Sequence, residues 1–260
     1  MSGKENIAIC VVADFKYLYK NFNRLYKQIR TAGNYSGDIL VITSFLTCKY
    51  FIKSLKKSNN VYVYKFKKIK FNKIAELTLS NLKSSPNRHL TKNFQWHKLY
   101  LFTEKIKKWD YIFYLDINMT VHEDINPILE IYPKNELFAR ADGYPDYKWQ
   151  LNSQFDTSND KFDELKKVFN LETTDYFQTG ILYFDTKIID NNTFQEIIDL
   201  VNMYPISITN EQGILNLYFK FMNPKYNELI DYIDGKLCYY YWYDEADNTI
   251  ISKALTKKNK

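Results

Sequence analysis

Asp116 and Asn118 follow the apolar run Tyr111-Ile112-Phe113-Tyr114-Leu115, which places two oxygen-bearing side chains where a buried strand reaches the surface. Open α/β sheets bind their ligands at such strand ends. Carboxylate and amide oxygens suit a hard divalent cation, and Mg²⁺ is commonly shared between one or two protein carboxylates and the phosphates of a substrate. A plain Asx turn, in which Asp116 or Asn118 bonds only local backbone, accounts equally well for the tetrapeptide Leu-Asp-Ile-Asn taken by itself. Other groups with chemical potential are spread along the chain. Lys98 precedes the same strand and could reach a diphosphate as a point charge. Asp14 and Asp142 each end an apolar run, and Glu211-Gln212 stand where a helix should begin. Glu211 can equally complement the helix dipole there, and Gln212 can cap backbone donors.

Strands alternating with helices must position these residues. Residues 7–13 are an apolar β-like run ending at Asp14, and Leu18, Phe22, Leu25, Tyr26 and Ile29 follow at helical spacing. Further strands are expected over 39–42 and 61–64, with a helix over 45–55 between them. Such spacing predicts βαβ units, a largely parallel sheet and right-handed crossovers. Residues 94–102 read as an amphipathic helix carrying Lys98 and a packed or surface His97, and 111–115 as a central strand buried on both faces. Residues 137–142 form another strand ending in a carboxylate. The polar stretch 143–160 predicts a mobile substrate loop. Helices follow over 162–171, 194–203 and 209–219, with a strand over 181–185 entered through Gly180, where a ligand or backbone could approach closely. Cys238-Tyr239-Tyr240-Tyr241-Trp242-Tyr243 is an aromatic strand, usable for stacking on sugar rings or for core packing.

With 260 residues, the chain can bury a core that needs no covalent staples. Neither repeat nor linker divides it, so one α/β domain over residues 1–251 and a basic tail over 252–260 are expected. Cys10, Cys48 and Cys238 are odd in number and far apart, which argues against a disulfide framework and for a reducing, cytoplasmic setting. The sequence has no secretory pattern at its beginning and no apolar stretch long enough to span a bilayer. Net charge is +6, but only Arg24, Arg30, Arg88 and Arg140 supply guanidinium groups, and no nucleic-acid-binding motif is present. A nucleotide's phosphates or an anionic glycan would satisfy that charge as well as a nucleic acid.

The order of these segments is similar to that of nucleotide-sugar-dependent glycosyltransferases of the GT-A type, and within them the glycogenin-like family 8. Residues 7–14 with Tyr17 resemble the family's first strand and uracil-binding loop, and Lys98-Leu99 its helix before the central strand. Tyr114-Leu115-Asp116-Ile117-Asn118 occupies the place of its Asp-x-Asp motif. Asp142 resembles the acid before its acceptor loop, Phe177-Gln178-Thr179-Gly180-Ile181 its Phe-Asn-x-Gly-Val turn, and Glu211-Gln212-Gly213-Ile214-Leu215-Asn216 its Asp-Gln-Gly-Leu-Leu-Asn helix start. Two departures stand out. Asn118 replaces the second aspartate, and nothing after Gly235 matches the family's His-x-x-Gly-x-x-Lys-Pro-Trp segment, so that Asp244 or Asp247 would be the third metal ligand, or that ligand is absent.

The resemblance implies a single GT-A, Rossmann-like domain with a central, mostly parallel sheet flanked by helices. It also implies transfer of a sugar from a UDP-sugar to a hydroxyl of a glycan or protein acceptor, with retention of configuration and assistance from Mn²⁺ or Mg²⁺. Ala13, Asp14 and Tyr17 would hold the uridine, and Asp116 and Asn118 the metal, with Asp244 as the remaining ligand. Lys98 and Ile117 would complete the donor site, and Gln212, Asp142 and Glu211 would line the sugar. A homodimer is compatible with the family. Asn118 and the missing histidine leave a UDP-sugar-binding pseudoenzyme as a second reading. A basic nucleic-acid-binding module is a third, favoured by net charge alone.

Overall fold

A computed structural model of the chain describes residues 5–84, 93–141, 149–240 and 248–253. Its centre is a seven-stranded sheet of order β3-β2-β1-β4-β7-β6-β8. The strands are β1 (Ile7–Val12), β2 (Asp38–Ser44), β3 (Val61–Phe66), β4 (Tyr111–Leu115), β6 (Leu137–Ala139), β7 (Ile181–Asp185) and β8 (Tyr226–Glu228). Strands β3, β2, β1 and β4 run parallel to one another, β7 is antiparallel to both β4 and β6, and β8 is parallel to β6. The mostly parallel sheet expected from the β/α alternation is therefore present, with an antiparallel strand in its middle.

The strands were recognisable because the sheet is buried on both faces. Along β1, Ala8, Cys10 and Val12 enter one hydrophobic core while Ile9 and Val11 enter the other. Strand β4 splits in the same way, with Ile112 and Tyr114 on one side and Tyr111, Phe113 and Leu115 on the opposite side. Period-two alternation sends neighbouring residues to opposite faces, so a strand covered twice is apolar throughout. Helix α1 (Phe15–Arg30) covers one face through Leu18, Phe22, Leu25 and Ile29, and Asp14 caps it by accepting from the Tyr17 N–H at 2.9 Å. The short helix α2 (Lys49–Leu55) lies beside it and buries Ile52 and Leu55.

Between β3 and β4 lie helix α3 (Ile74–Ser84) and the segment Asn93–Phe102. That segment, expected as an amphipathic α-helix, is a 3₁₀ helix, and Trp96, His97, Lys98, Leu99, Leu101 and Phe102 are all buried. Burial on every side removes the polar face on which the amphipathic expectation rested. His97 is indeed packed, its ring stacked on Phe94 at 4.0 Å. The later helices are α4 (Asn126–Leu129), α5 (Asp160–Val168), α6 (Thr193–Met203) and α7 (Glu211–Leu217), the last continuing into one π-helical turn, Tyr218–Met222.

A second, four-stranded sheet was not foreseen. Its order is β5-β11-β10-β9, from β5 (Met119–Val121), β9 (Tyr232–Ile233), β10 (Lys236–Tyr240) and β11 (Thr249–Lys253). The described part of the aromatic segment belongs to this sheet, and Cys238 and Tyr239 are buried core residues. Residues 149–160 also differ from the mobile loop expected of them. A 3₁₀ turn, Leu151–Gln154, buries Leu151 and Gln154, and Phe155 and Asp156 are buried beside it. Strand β11 reaches Lys253, where Ser252 Oγ meets His122 Nε2 at 2.8 Å.

Candidate active site

Strand β4 ends at Leu115 and β5 begins at Met119, so Asp116-Ile117-Asn118 is the connection between the two sheets. Asp116 faces Gly180 across the antiparallel β4–β7 pair, its N–H donating to the Gly180 carbonyl at 2.9 Å. Its carbonyl accepts from the Met119 N–H at 2.9 Å, which closes a tight turn. This turn is made by backbone groups, unlike the Asx turn in which the Asp116 side chain would bond local backbone. The carboxylate is engaged elsewhere.

Asp116 Oδ1 accepts a hydrogen bond from the Tyr114 hydroxyl and lies 3.4 Å from Lys98 Nζ. Oδ2 has no hydrogen-bond partner among the described residues, and neither has the amide of Asn118; both side chains are partly exposed. One carboxylate oxygen is thus held and the other presented, which suits a ligand to a cation. Burial and the neighbouring Asp116 charge hold the Tyr114 hydroxyl well above its usual pKa, so it remains a donor. Gly180 leaves the space in front. A Cβ there would stand 2.9 Å from Met119 Cε, 3.2 Å from Tyr239 Oη and 3.7 Å from Asp116 Oδ2.

Lys98 lies behind Asp116 and is almost wholly buried. Its ammonium is 2.7 Å from Glu211 Oε1, 2.8 Å from the Thr179 carbonyl and 3.1 Å from Thr179 Oγ1, besides the contact with Asp116. Burial by itself would lower its pKa, but Asp116 and Glu211 outweigh that and raise it, so Lys98 is a cation. Three N–H donors facing four acceptors leave none directed outward. The ammonium is thus fully engaged by the chain's own oxygens. Lys98 ties the end of β4 to the start of α7.

The Gln178-Thr179-Gly180 strip is clamped from the helix side. Thr179 N–H donates to Gln212 Oε1 at 3.1 Å, and Gln212 Nε2 donates to Gln154 Oε1 at 2.9 Å. Asn216 grips Phe177 in both directions, its Oδ1 accepting from the N–H and its Nδ2 donating to the carbonyl, each at 2.8 Å. Glu211 is buried, and its Oε2 has no hydrogen-bond partner among the described residues. Gln212, by contrast, is partly exposed.

The structure thus brings Asp116, Asn118, Lys98, Glu211 and Gln212 to one region. Ala13 and Asp14 lie on the same edge of the sheet, at the end of the neighbouring strand β1, with Ala13 buried, Asp14 occupied as a helix cap and Tyr17 exposed. Ile117, between Asp116 and Asn118, is buried. Asp142, Asp244 and Asp247 lie outside the described residues. Among the described residues no three His, Cys, Asp or Glu side chains gather as a metal cluster. Sequence reasoning did not single out Tyr114, Thr179, Asn216 or Gln154 as individual contributors. The first three stand inside the motifs already noted, and nothing in sequence signals Gln154.

The chain matches Glycosyl transferase family 8 over residues 7–255. Among solved structures, the galactosyltransferase LgtC in complex with donor and acceptor sugar analogues superposes with a TM-score of 0.60 at 14% identity, covering 96% of this chain and 87% of that one. The bifunctional glycosyltransferase WbbM gives 0.58 at 15% identity, but the chain spans only 47% of its length. Core-mannan synthase A from Aspergillus fumigatus, in its Mn/GDP form, gives 0.55 at 10% identity over 87% of this chain and 73% of that one. No curated protein matches the chain in sequence. At these identities the neighbours establish a shared GT-A architecture, and with the match across nearly all of its length, the chain belongs to glycosyl transferase family 8.

Proposed function

We propose that the protein transfers a hexose or N-acetylhexosamine from a UDP-sugar to a hydroxyl of a glycan or protein acceptor, with retention and with help from a divalent cation. The observation that carries this reading is the half-engaged carboxylate of Asp116. Its Oδ1 is fixed by Tyr114 and Lys98, while Oδ2 and the Asn118 amide have no hydrogen-bond partner among the described residues. These oxygens fit Mn²⁺ or Mg²⁺, although one carboxylate and one amide make a weak pair and a further ligand, Asp244 in the sequence reading, would strengthen it. A bound cation of this kind neutralises charge on a departing diphosphate.

The chain's own residues do the remainder. The edge formed by Ala13, Asp14 and Tyr17 receives the uridine, with Tyr17 exposed and able to stack. Lys98 acts from behind, holding Asp116 and Glu211 in register rather than contacting the diphosphate itself. Gln212 is partly exposed and its amide is oriented by Thr179 and Gln154, so it is the best placed of the helix-start residues to meet the sugar. Glu211 Oε2 and Asp142 are the other candidates for that face. The Aspergillus neighbour with bound Mn and GDP, and LgtC with its sugar analogues, support a nucleotide-sugar donor and a metal without deciding which.

The test is release of UDP from a panel of UDP-sugars with and without Mn²⁺, comparing the intact protein with Asp116→Ala. Metal-stimulated release from one donor, lost in the variant, is expected. Binding of UDP with no turnover of any donor, even when acceptors are supplied, would favour the pseudoenzyme reading that Asn118 motivates. Failure to bind UDP would remove the proposed donor.

A further inference from the structure

The positive charge of the chain is not spread over it. Residues 15–73 contain fourteen lysines and arginines and a single acid, Asp38, a net +13, whereas the whole chain is +6 and the remainder is therefore net −7. This segment builds α1, β2, α2 and β3, one flank of the central sheet. Asp38 is at the start of β2, remote from the helix-facing end of that flank, and its carboxylate accepts from Trp109 Nε1 at 2.8 Å.

The same flank carries the most exposed apolar side chains among the described residues. Leu46 is 89% exposed, Tyr50 87% and Tyr19 71%, with Phe45 beside Leu46 also exposed. They belong together. Phe15 and Tyr19 of α1 pack around Phe51 of α2, with Phe15 and Phe51 edge to face at 5.0 Å. Phe45 and Leu46 form the tip of the loop leaving β2, just before α2. Lysines border the patch on both helices: Lys16 and Lys20 share the outer side of α1, and Lys49 and Lys53 share that of α2. None of these four makes an ion pair among the described residues, so their charge is available to a partner. Between the helices opens a cleft of about 450 Å³ whose wall includes Tyr19, Asn23, Phe51 and Ser54.

We propose that this face, formed by the outer sides of α1 and α2 and the Phe45-Leu46 tip, docks on an anionic lipid membrane. The chemistry favours lipid over the other anionic surfaces. Tyrosine and phenylalanine rings, with an apolar body and in tyrosine a polar tip, sit well at the headgroup level. An aliphatic tip such as Leu46 gains by entering the acyl boundary and offers a nucleobase no stacking plane. Surrounding lysines are attracted to anionic headgroups, and their dominance over arginine argues against groove recognition. The loops after β1 and β2 leave the sheet on the same edge as Asp116, one and two strand positions away, roughly 5 and 10 Å. Docking would therefore hold the candidate active site close to the lipid surface. The proposal does not depend on the transferase reading.

Sedimentation of the full chain with phosphatidylcholine vesicles, with and without phosphatidylglycerol, tests it. Binding is expected only with the anionic lipid and should weaken as salt is raised. Lys49→Gln and Lys53→Gln should each lower partitioning about fivefold, near 1 kcal/mol per charge at the surface. Leu46→Ser should weaken it further, and UDP release and the circular dichroism spectrum should stay as in the unaltered protein. Absence of binding to phosphatidylglycerol vesicles would overturn the proposal, as would a triple variant that binds like the parent. Salt-sensitive binding of a single-stranded oligonucleotide through the same lysines, without vesicle binding, would assign the face to nucleic acid instead.

Discussion

Replacing Lys98 by methionine should damage the protein far more than loss of an ordinary lysine, and removing Glu211 as well should add little to the damage. Lys98 and Glu211 are both almost inaccessible to water, with Nζ and Oε1 2.7 Å apart. A buried pair is close to neutral when compared with apolar residues of like size, because desolvation of the two charges offsets their attraction. Breaking it from one side leaves a buried charge uncompensated and costs roughly 3–5 kcal/mol. In Lys98→Met the uncompensated group is Glu211, which already has one unpartnered oxygen, Oε2, and would then retain only the Thr179 hydroxyl at 3.1 Å. Asp116 suffers less, since its side chain is about a third exposed and Tyr114 still donates to it.

Urea denaturation of the parent, Lys98→Met, Glu211→Gln and the double variant closes a thermodynamic cycle. Lys98→Met should lose about 3–5 kcal/mol. Glu211→Gln should lose less, on the order of 2 kcal/mol, because Lys98 keeps Asp116 and both Thr179 oxygens. The double variant should lose well under the sum of the two losses, about as much as Lys98→Met alone, with a coupling of roughly 2–3 kcal/mol. Additivity within about 0.5 kcal/mol would refute the buried pair, since independent sites add to that accuracy. Donor binding supplies a second readout. If Lys98 acts by orienting Asp116, metal-stimulated UDP release should fall in Lys98→Met even when the protein is stabilised by osmolyte, whereas UDP affinity without metal should change little.

Three other outcomes can be stated. Asn216→Ala removes both bonds to the Phe177 backbone and should cost about 2–4 kcal/mol in denaturant, with Asn216→Asp recovering part through its retained acceptor; a loss under about 0.5 kcal/mol would count against the clamp. Gly180→Ala should cost about 1 kcal/mol and weaken metal-stimulated donor turnover, and the same change should cost much less in a Met119→Ala background, because the nearest obstacle is the end of the buried Met119 side chain. His97 is held down to about 4 by burial, so the folded protein resists a proton that the unfolded chain accepts near 6.5. Stability that is complete above pH 6.5 should therefore fall as pH drops toward 4, by about 3 kcal/mol in all, and His97→Phe should flatten that stretch of the pH profile.

What could be read beforehand follows from the range of the interactions involved. Strands β1, β4 and β7 declare themselves because both faces are covered, so their apolar character needs no knowledge of what covers them. Helix α1 is equally plain, with its periodic apolar side and Asp14 as a cap three residues from the Tyr17 N–H it accepts. The second sheet is another matter. Its strands β5, β9, β10 and β11 are drawn from positions 119 to 253, and β5 has only three residues, too few to show a period. The 3₁₀ segment carrying Lys98 was misjudged because an ammonium reads as a surface group until the carboxylates that surround it, at 116 and 211, are brought to it by the fold.

That last case bears on what the site residues are for. A local reading assigns Lys98 to a ligand because it sees one cation and no counter-charge. The folded chain gives the cation two carboxylates and a threonine, and leaves one oxygen of Asp116 without a partner among the described residues. The polar character of Lys98, Thr179, Glu211 and Gln212 then makes sense as support for one outward-facing atom rather than as four independent contacts with a donor. An apolar core at these positions could be as stable, but it could not hold Asp116 Oδ1 from behind by a charge-assisted contact while leaving Oδ2 exposed. Retention of a buried charge pair beside Asp116 is therefore best explained by the orientation of that carboxylate, which is the property the double-variant cycle and the Lys98→Met turnover measurement together test.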